Sequence, residues 1–127
     1  ARGMLDHADL REANLSETDL SHAQLIGARL DSADLTAAVL RFADLRGASL
    51  KGANLQQADL TGAILTTADL SSANLRWAIL VQADLRATNL SHANLVNTNL
   101  SGADRTGAMW VDATHQCSNQ SCDGKAY

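Results

Sequence analysis

A leucine at every fifth residue is the feature that most constrains this chain. Twenty leucines follow one another at this spacing from Leu5 to Leu100, and the sequence contains no other leucine. The position two residues before each leucine is small, and from Ala8 to Ala113 it is alanine except at Thr18, Thr88 and Thr98. A period this strict predicts a repeat architecture.

The five-residue period excludes most regular structures. In an α-helix, successive leucines would point about 140° apart and form no stripe, and a coiled coil requires an apolar spacing of about 3.5 residues. In a straight strand, residues five apart lie on opposite faces. The alanine and leucine of one unit share a face of a short extended segment, because they are two residues apart. The chain must therefore turn a corner every five residues, which predicts a β-solenoid with both residue types inside.

The spacing alone leaves the number of sides per coil open. One unbroken column of amide and carboxylate residues occurs at a lag of twenty, namely Asn14, Asp34, Asn54, Asn74 and Asn94. A four-sided coil would stack these residues, and amide ladders between stacked strands are favourable. Six of the eight glycines occupy the second position after the leucine site. A corner there would require a positive φ, which glycine adopts at little cost.

The repeat units resemble the pentapeptide repeat family, whose pattern is A-(D/N)-L-x-x. Examples are ADLRE (8–12), ANLSE (13–17), ADLRG (43–47), ANLQQ (53–57) and ADLTG (58–62). The resemblance covers about residues 3–113 and implies a right-handed quadrilateral β-helix. It implies about five coils of four pentapeptides, roughly 25 Å in length at the usual strand spacing. Residues 1–113 are predicted to form the β-helix, and residues 114–127 a short C-terminal cap.

The leucine column ends at its C-terminal side, where Arg105, Trp110 and His115 take the next three leucine positions. Arginine is costly to bury unpaired in an apolar column, so the last coil is predicted to be open or edged there. Met109 and Trp110 are predicted to form a lid on the core. Residues 111–127 would then cover the end and block edge-to-edge pairing. At the N-terminal end, Met4 is the candidate for a similar role.

Two cysteines, Cys117 and Cys122, lie outside the repeat. We predict a disulfide that closes a short loop, with two buried free thiols as the alternative. A metal site of His115, Cys117, Cys122 and Asp123 is a weaker alternative, because the spacing matches no common zinc motif. A disulfide favours an oxidising compartment, the thylakoid lumen or periplasm, over the cytoplasm. Lumenal family members of cyanobacteria and plants are the branch that the sequence resembles most.

No enzymatic site is predicted, and no cofactor. The four histidines, His7, His22, His92 and His115, share no column at a lag of twenty. No nucleophile lies beside a base where the repeat breaks, and no glycine-rich phosphate loop is present. No apolar run approaches the length of a membrane span. A structural or protein-interaction scaffold is therefore the expected class, a monomer or weak oligomer that binds neither nucleic acid nor membrane.

The resemblance also implies an alternative function, that of a DNA mimic binding a type II topoisomerase (DNA gyrase). Such a mimic requires a strongly negative surface, because duplex DNA carries one charge per roughly 1.7 Å of axis. The net charge here is only −4, from 14 acidic and 10 basic residues. Under the four-sided arrangement, Arg46 and Arg86 would neutralise Asp44 and Asp84 on one face. Other faces carry Arg29, Arg41, Lys51 and Arg76.

Six apolar residues depart from the polar pattern of the outward positions. They are Val39, Phe42, Ile64, Trp77, Ile79 and Val81. We expect Val39, Ile79 and Val81 to share one face, with Phe42 and Trp77 at adjacent corners. The set is predicted to be a patch that binds a protein partner, because Trp and Phe are favoured anchors at interfaces. The alternative is scattered apolar surface of the ordinary kind.

Overall fold

Each pentapeptide makes one tight turn. The computed structural model describes residues 3–109. In each repeat the leucine carbonyl accepts the N–H of the small residue three positions later, as from Ala58 to Leu55 at 3.0 Å. Every fifth residue from His7 to Gly107 has a positive φ, and fifteen of these residues are not glycine. A four-residue turn with a positive φ at its third residue is a type II turn. The predicted corner is confirmed.

Parallel pairing joins successive coils. The residue before each leucine forms a parallel β-bridge with the residue twenty positions later, from Met4 with Gln24 to Asn89 with Met109. Asn54, for example, donates its N–H to Ala33 O at 3.0 Å and accepts the N–H of Leu35 at 2.7 Å. Within residues 3–109 these bridges are one residue long, and neither a longer strand nor a helix occurs. The short strands expected from the sequence are therefore single bridged residues between turns.

Leucine and alanine fill the interior, as predicted. Every leucine from Leu25 to Leu90 is 0% exposed, and the alanines two residues before these leucines are at most 1% exposed. Two of the threonines that replace alanine are also accommodated inside. Thr88 donates its hydroxyl to Leu65 O at 2.7 Å, and Thr98 donates to Leu75 O at 2.6 Å. A buried hydroxyl is tolerated in these slots because the neighbouring coil supplies an acceptor.

The two ends of the described segment differ from its middle. The first four leucines are only partly buried, because within the described segment they have a neighbouring coil on one side only; they are Leu5, Leu10, Leu15 and Leu20. Met4 is 79% exposed, so its side chain covers little of the core at that end. Arg105 is partly buried in its leucine position, and Met109 is half-buried at a bridge position. Trp110 and the cap predicted for residues 114–127 lie outside the described residues.

The outward Asn and Asp residues are held by bonds within their own repeat. The column Asn14, Asp34, Asn54, Asn74 and Asn94 does stack through successive bridges. The predicted amide ladder along it is wrong for residues 3–109. Instead, each side-chain oxygen accepts the backbone N–H two residues later, at 3.0 to 3.2 Å. This local bond is an Asx turn, which explains why the position before the leucine favours Asn or Asp.

Two aspartates supply the same acceptor from the preceding coil. Gln24 has no oxygen in the Asx position, and Asp6 Oδ1 accepts the N–H of Ile26 at 2.8 Å. Likewise Asp31 Oδ1 accepts the N–H of Lys51 at 3.2 Å, where Ser49 stands before the leucine. A backbone N–H that would otherwise need water as its acceptor is thus satisfied by the side chain of another coil.

No helix in residues 3–109 is long and apolar enough to span a membrane.

Candidate protein-interaction surface

The structure places the six predicted patch residues in several columns of the solenoid. Val39 and Ile79 lie in one bridge column, but Asp59 lies between them and bridges to both. Ile64 lies in a different column, between Asp44 and Asp84. Val39, Ile64 and Val81 are half-buried. Phe42, Trp77 and Ile79 are 51%, 54% and 38% exposed.

Phe42 has a packing role within the solenoid. Its φ is 58°, and its ring stacks on the ring of His22 with a centroid separation of 5.4 Å and an interplanar angle of 18°. On its other side the ring lies over Gly62 of the following coil. Stacked rings of this kind contribute about 0.5–1.5 kcal/mol beyond the area that they bury. Contacts within the chain therefore cover part of the Phe42 ring, and the side chain stays half-exposed.

Within the described part of the chain, Trp77 lacks a stacked ring partner of this kind. It also occupies a left-handed turn position, with φ 60°. Within residues 3–109 its ring is in no stacked pair, and its side chain takes part in no hydrogen bond. A bulky residue at positive φ is uncommon, and the left-handed conformation costs roughly 1–2 kcal/mol per residue. Neither burial nor backbone preference explains a half-exposed tryptophan here.

Val96 is an exposed apolar residue that the sequence analysis missed. It is 52% exposed, and its carbonyl accepts the N–H of Trp77 at 3.1 Å. The corresponding positions in earlier coils are polar: Ser16, Thr36, Gln56 and Arg76. The change from polar residues to valine in this column, at a lag of twenty, was the signal by which the sequence could have identified Val96. We call Trp77, Ile79, Val81 and Val96 the Trp77 corner.

Paired charges cover the other faces. Arg46 and Arg86 each lie 2.7 Å from the aspartate two residues earlier, Asp44 and Asp84. The guanidinium hydrogen bonds hold the pKa of both carboxyls below the ordinary value. The local neutralisation expected between these residues is confirmed.

Further ion pairs and hydrogen bonds engage carboxylates elsewhere. Arg11 pairs with Asp9 at 2.7 Å, and the hydrogen bond from Arg11 lowers the pKa of Asp9. Lys51 lies 3.7 Å from Asp69, and Arg41 lies 3.9 Å from Asp59. Pairs of this exposed kind contribute little to stability, but they interrupt the negative surface.

Arg76 differs from these paired cations. Its backbone N–H bonds to Asn74 Oδ1, but within residues 3–109 its guanidinium has neither an ion pair nor a hydrogen bond. It is exposed and directly precedes Trp77. The Trp77 corner thus adjoins an unpaired positive charge.

The histidines of the described segment do not share a column. His7, His22 and His92 are exposed at turn positions of three different columns. No group of three or more His, Cys, Asp or Glu residues in the described segment could hold a metal ion. Cys117 and Cys122, and the weaker metal set that includes His115 and Asp123, lie outside residues 3–109.

The sequence matches the family model for pentapeptide repeats in eight copies, over residues 4–31, 28–66 and 68–104. Since these ranges cover most of the chain, the protein belongs to the pentapeptide repeat family. No curated protein sequence is significantly similar to it.

Solved structures of family members share the fold. One is a pentapeptide repeat protein from Nostoc PCC 7120, 36% identical, with 84% of each chain covered and a TM-score of 0.65. Another is HetL, involved in heterocyst differentiation regulation in Nostoc sp. strain PCC 7120. It is 40% identical, with 87% of this chain and 50% of HetL covered and a TM-score of 0.55. The chain thus spans half the length of HetL. These similarities identify the solenoid as a right-handed β-helix.

A third similar structure is a pentapeptide repeat protein from the Arabidopsis thaliana thylakoid lumen. It is 34% identical, with 84% of this chain and 71% of that chain covered and a TM-score of 0.41.

Proposed function

We propose that this protein is a non-enzymatic scaffold that binds a protein partner through apolar residues on its solenoid surface. The residues concerned are those predicted from the sequence, Val39, Phe42, Ile64, Trp77, Ile79 and Val81, joined by Val96. Within this set the Trp77 corner is the anchor. No cofactor, direct nucleic-acid contact or membrane insertion is part of the proposal.

One observation carries the proposal: Trp77 is half-exposed in a left-handed conformation, with neither a stacked ring partner nor a side-chain hydrogen bond inside the described segment. Six turn positions use glycine, which suits this conformation. Tryptophan is the largest of the fifteen non-glycine side chains at these turn positions, and contact with another molecule is the best explanation for its exposed apolar surface. Tryptophan is also among the residues most enriched in binding hot spots.

A DNA-mimicking, gyrase-binding protein is the alternative from the sequence. Continuous negative charge along the solenoid would favour it. The ion pairs of Asp9, Asp44 and Asp84 oppose it, because each carboxylate has an arginine at 2.7 Å. We therefore propose the interaction scaffold in its place.

The proposal includes the finer architecture. The scaffold is a quadrilateral β-helix of about five coils over residues 1–113, supported by the bridge lag of twenty. Residues 114–127 form its C-terminal cap, Met109 and Trp110 lie over the end of the core, and the protein is a monomer or weak oligomer.

The cysteine pair gives the proposed compartment. Cys117 and Cys122 form a disulfide that fixes the cap, and the protein acts in the thylakoid lumen or periplasm, with the cytoplasm as the alternative. The support is that both cysteines lie outside the repeat, within the fourteen residues of the predicted cap, 114–127. Disulfides persist mainly in oxidising compartments.

Site-specific photo-crosslinking in the native cells tests the function. Trp77 is replaced by p-benzoylphenylalanine, and a second chain carries the same replacement at Thr67, which is also exposed and left-handed, with φ 61°. We expect a discrete adduct from position 77 and none from position 67. Equal labelling at both positions, or no adduct at 77, would remove the assignment to the Trp77 corner.

A further inference from the structure

We infer that the Trp77 corner binds an extended peptide segment in which a carboxylate lies beside an aliphatic or aromatic side chain. The inference rests on the proposed function and adds the chemistry of the partner. It combines the apolar surface of Trp77, Ile79 and Val96 with the unpaired guanidinium of Arg76.

Three side-chain donors at this corner, on Arg76, Trp77 and Asn94, have no acceptor within residues 3–109. Arg76 has five N–H donors and no acceptor, and its guanidinium is unpaired within residues 3–109. The indole N–H of Trp77 likewise has no acceptor there. Asn94 uses its Oδ1 on the N–H of Val96 at 3.1 Å, which leaves its Nδ2 group to donate. A carboxylate complements such a set, and arginine binds carboxylates through two parallel hydrogen bonds.

No carboxylate of the described segment pairs with these donors. Among the carboxylates between Gln56 and Asn99, Asp59 is the one whose backbone bridges to a residue of the corner, Ile79. It is already engaged: it accepts the N–H and the hydroxyl of Thr61, at 3.0 and 2.6 Å, and lies 3.9 Å from Arg41. The corner thus lacks a carboxylate of its own.

The apolar part of the corner sets the second requirement. Trp77 and Val96 are each more than half exposed, and Ile79 is 38% exposed. A partner gains by covering them with an apolar side chain, because buried aromatic anchors dominate interface energies. The overall charge of −4 repels a polyacidic surface. One carboxylate flanked by apolar residues therefore fits better than an acidic patch, and nucleic acid, with many phosphates, fits worst.

Random peptides displayed on phage test the inference, with the whole chain immobilised as bait. The baits are the wild type, Trp77→Gly, Arg76→Glu and the control Gln57→Gly. Glycine suits the left-handed φ of 60° at Trp77 and 62° at Gln57, so both variants keep the backbone. Gln57→Gly makes the same backbone change one coil earlier and retains the indole.

We expect the wild type and Gln57→Gly to enrich peptides with Asp or Glu within a few residues of Leu, Ile or Phe. A synthetic peptide of the leading sequence should bind Trp77→Gly roughly 30-fold more weakly by fluorescence polarisation. Arg76→Glu should enrich peptides with Lys or Arg in place of the acid. That reversal of preference is a readout that a purely structural role of Arg76 would not produce.

Other outcomes overturn the inference. Enrichment that depends on Trp77 but shows no acidic preference would show that the bound peptide needs no carboxylate, while the scaffold function stands. An empty selection together with a crosslink at position 77 shows that the partner is not a linear acidic peptide. Sedimentation that reveals a dimer lost in Trp77→Gly shows that a second copy occupies the corner. An empty selection without a crosslink removes both proposals.

Discussion

The ring of Phe42 lies over Gly62, twenty residues later in the chain. A Cβ built on Gly62 would lie 2.5 Å from Phe42 Cε1, which is too close for two carbon atoms that are not bonded to each other. His7 and Gly27 have the same relationship, with 2.5 Å to His7 Nδ1. In these two pairs, an aromatic ring in the left-handed turn position covers the next coil, and glycine at the same position there makes room for it.

Gly62→Ala should therefore destabilise the protein more than a matched substitution does. Gly52 is the control, because its φ of +64° is similar to the +68° of Gly62, and a Cβ there meets only Ser32 Oγ at 3.8 Å. We expect both variants to lose roughly 1–2 kcal/mol from the left-handed alanine. Gly62→Ala should lose about 0.5–1.5 kcal/mol more as the Phe42 ring is displaced from its stack.

Urea denaturation in a double-mutant cycle measures this coupling. In a Phe42→Ala background, the cost of Gly62→Ala should fall to that of Gly52→Ala, since the ring is absent. An unchanged cost of Gly62→Ala in the two backgrounds would show that the ring and the glycine are not coupled.

Asn74→Ala tests the Asx turn. Asn74 Oδ1 accepts the N–H of Arg76 at 3.1 Å, so alanine removes the acceptor and should lower the free energy of unfolding by about 0.5–1.5 kcal/mol. Asn74→Asp keeps an acceptor oxygen and creates the Asp-Leu-Arg arrangement of Asp44 and Arg46, so it should unfold near the wild-type midpoint. Equal losses in both variants would point to packing of the amide, not its acceptor.

Acid should weaken the fold through its lowered carboxyl pKa values. The Thr36 hydroxyl and backbone N–H lower the pKa of Asp34 from 3.8, and Arg46 lowers that of Asp44. A carboxyl with a lower pKa in the folded state stabilises the fold above its unfolded pKa, and this contribution disappears as pH falls through the folded pKa. The free energy of unfolding should therefore fall below about pH 5.

Asp34→Asn provides the sharper test of this pH dependence. The amide keeps an acceptor for Thr36 but does not titrate, so the loss of stability between neutral and acidic solution should be smaller than in the wild type. Glu17→Gln, which removes an exposed carboxyl from a turn position, is the control. If acid lowers the free energy of unfolding of Asp34→Asn as much as that of the wild type, the lowered pKa of Asp34 does not contribute to the loss of stability.

Leucine truncations should depend on position along the solenoid. Leu55 is 0% exposed, and Leu55→Ala should cost about 2–5 kcal/mol, the range for a cavity in a packed core. Leu10 is only partly buried, so Leu10→Ala should cost less. Thermal or urea midpoints measure both, and equal costs would show that the first coil is packed as tightly as the middle.

The redox state of Cys117 and Cys122 tests the proposed compartment. Thiols are blocked when the native cells are lysed, and the intact mass is read without reductant. A disulfide leaves both cysteines unmodified and supports the lumen or periplasm. Two blocked thiols would remove that assignment and favour the cytoplasm, and a gyrase supercoiling assay would then test the alternative function.

Much of the fold was predictable because the repeat makes each residue's environment periodic. The inward leucines, the corner glycines and the pairing of Asp44 with Arg46 all followed from position within the five- and twenty-residue periods. The cover of Gly62 by Phe42 was present in the same columns, since the two residues are twenty apart. It was missed because a column shows which residues are neighbours but not the direction in which a ring points.

The sequence by itself determined the solenoid, because a five-residue apolar period keeps its leucines on one side only if the chain turns at every repeat. Tertiary structure alone decided which outward residues are engaged. Phe42 is held between His22 and Gly62, and Trp77 stays exposed beside Val96. The physical reason is that these differences depend on side-chain directions and contacts between coils, which the repeat pattern does not specify.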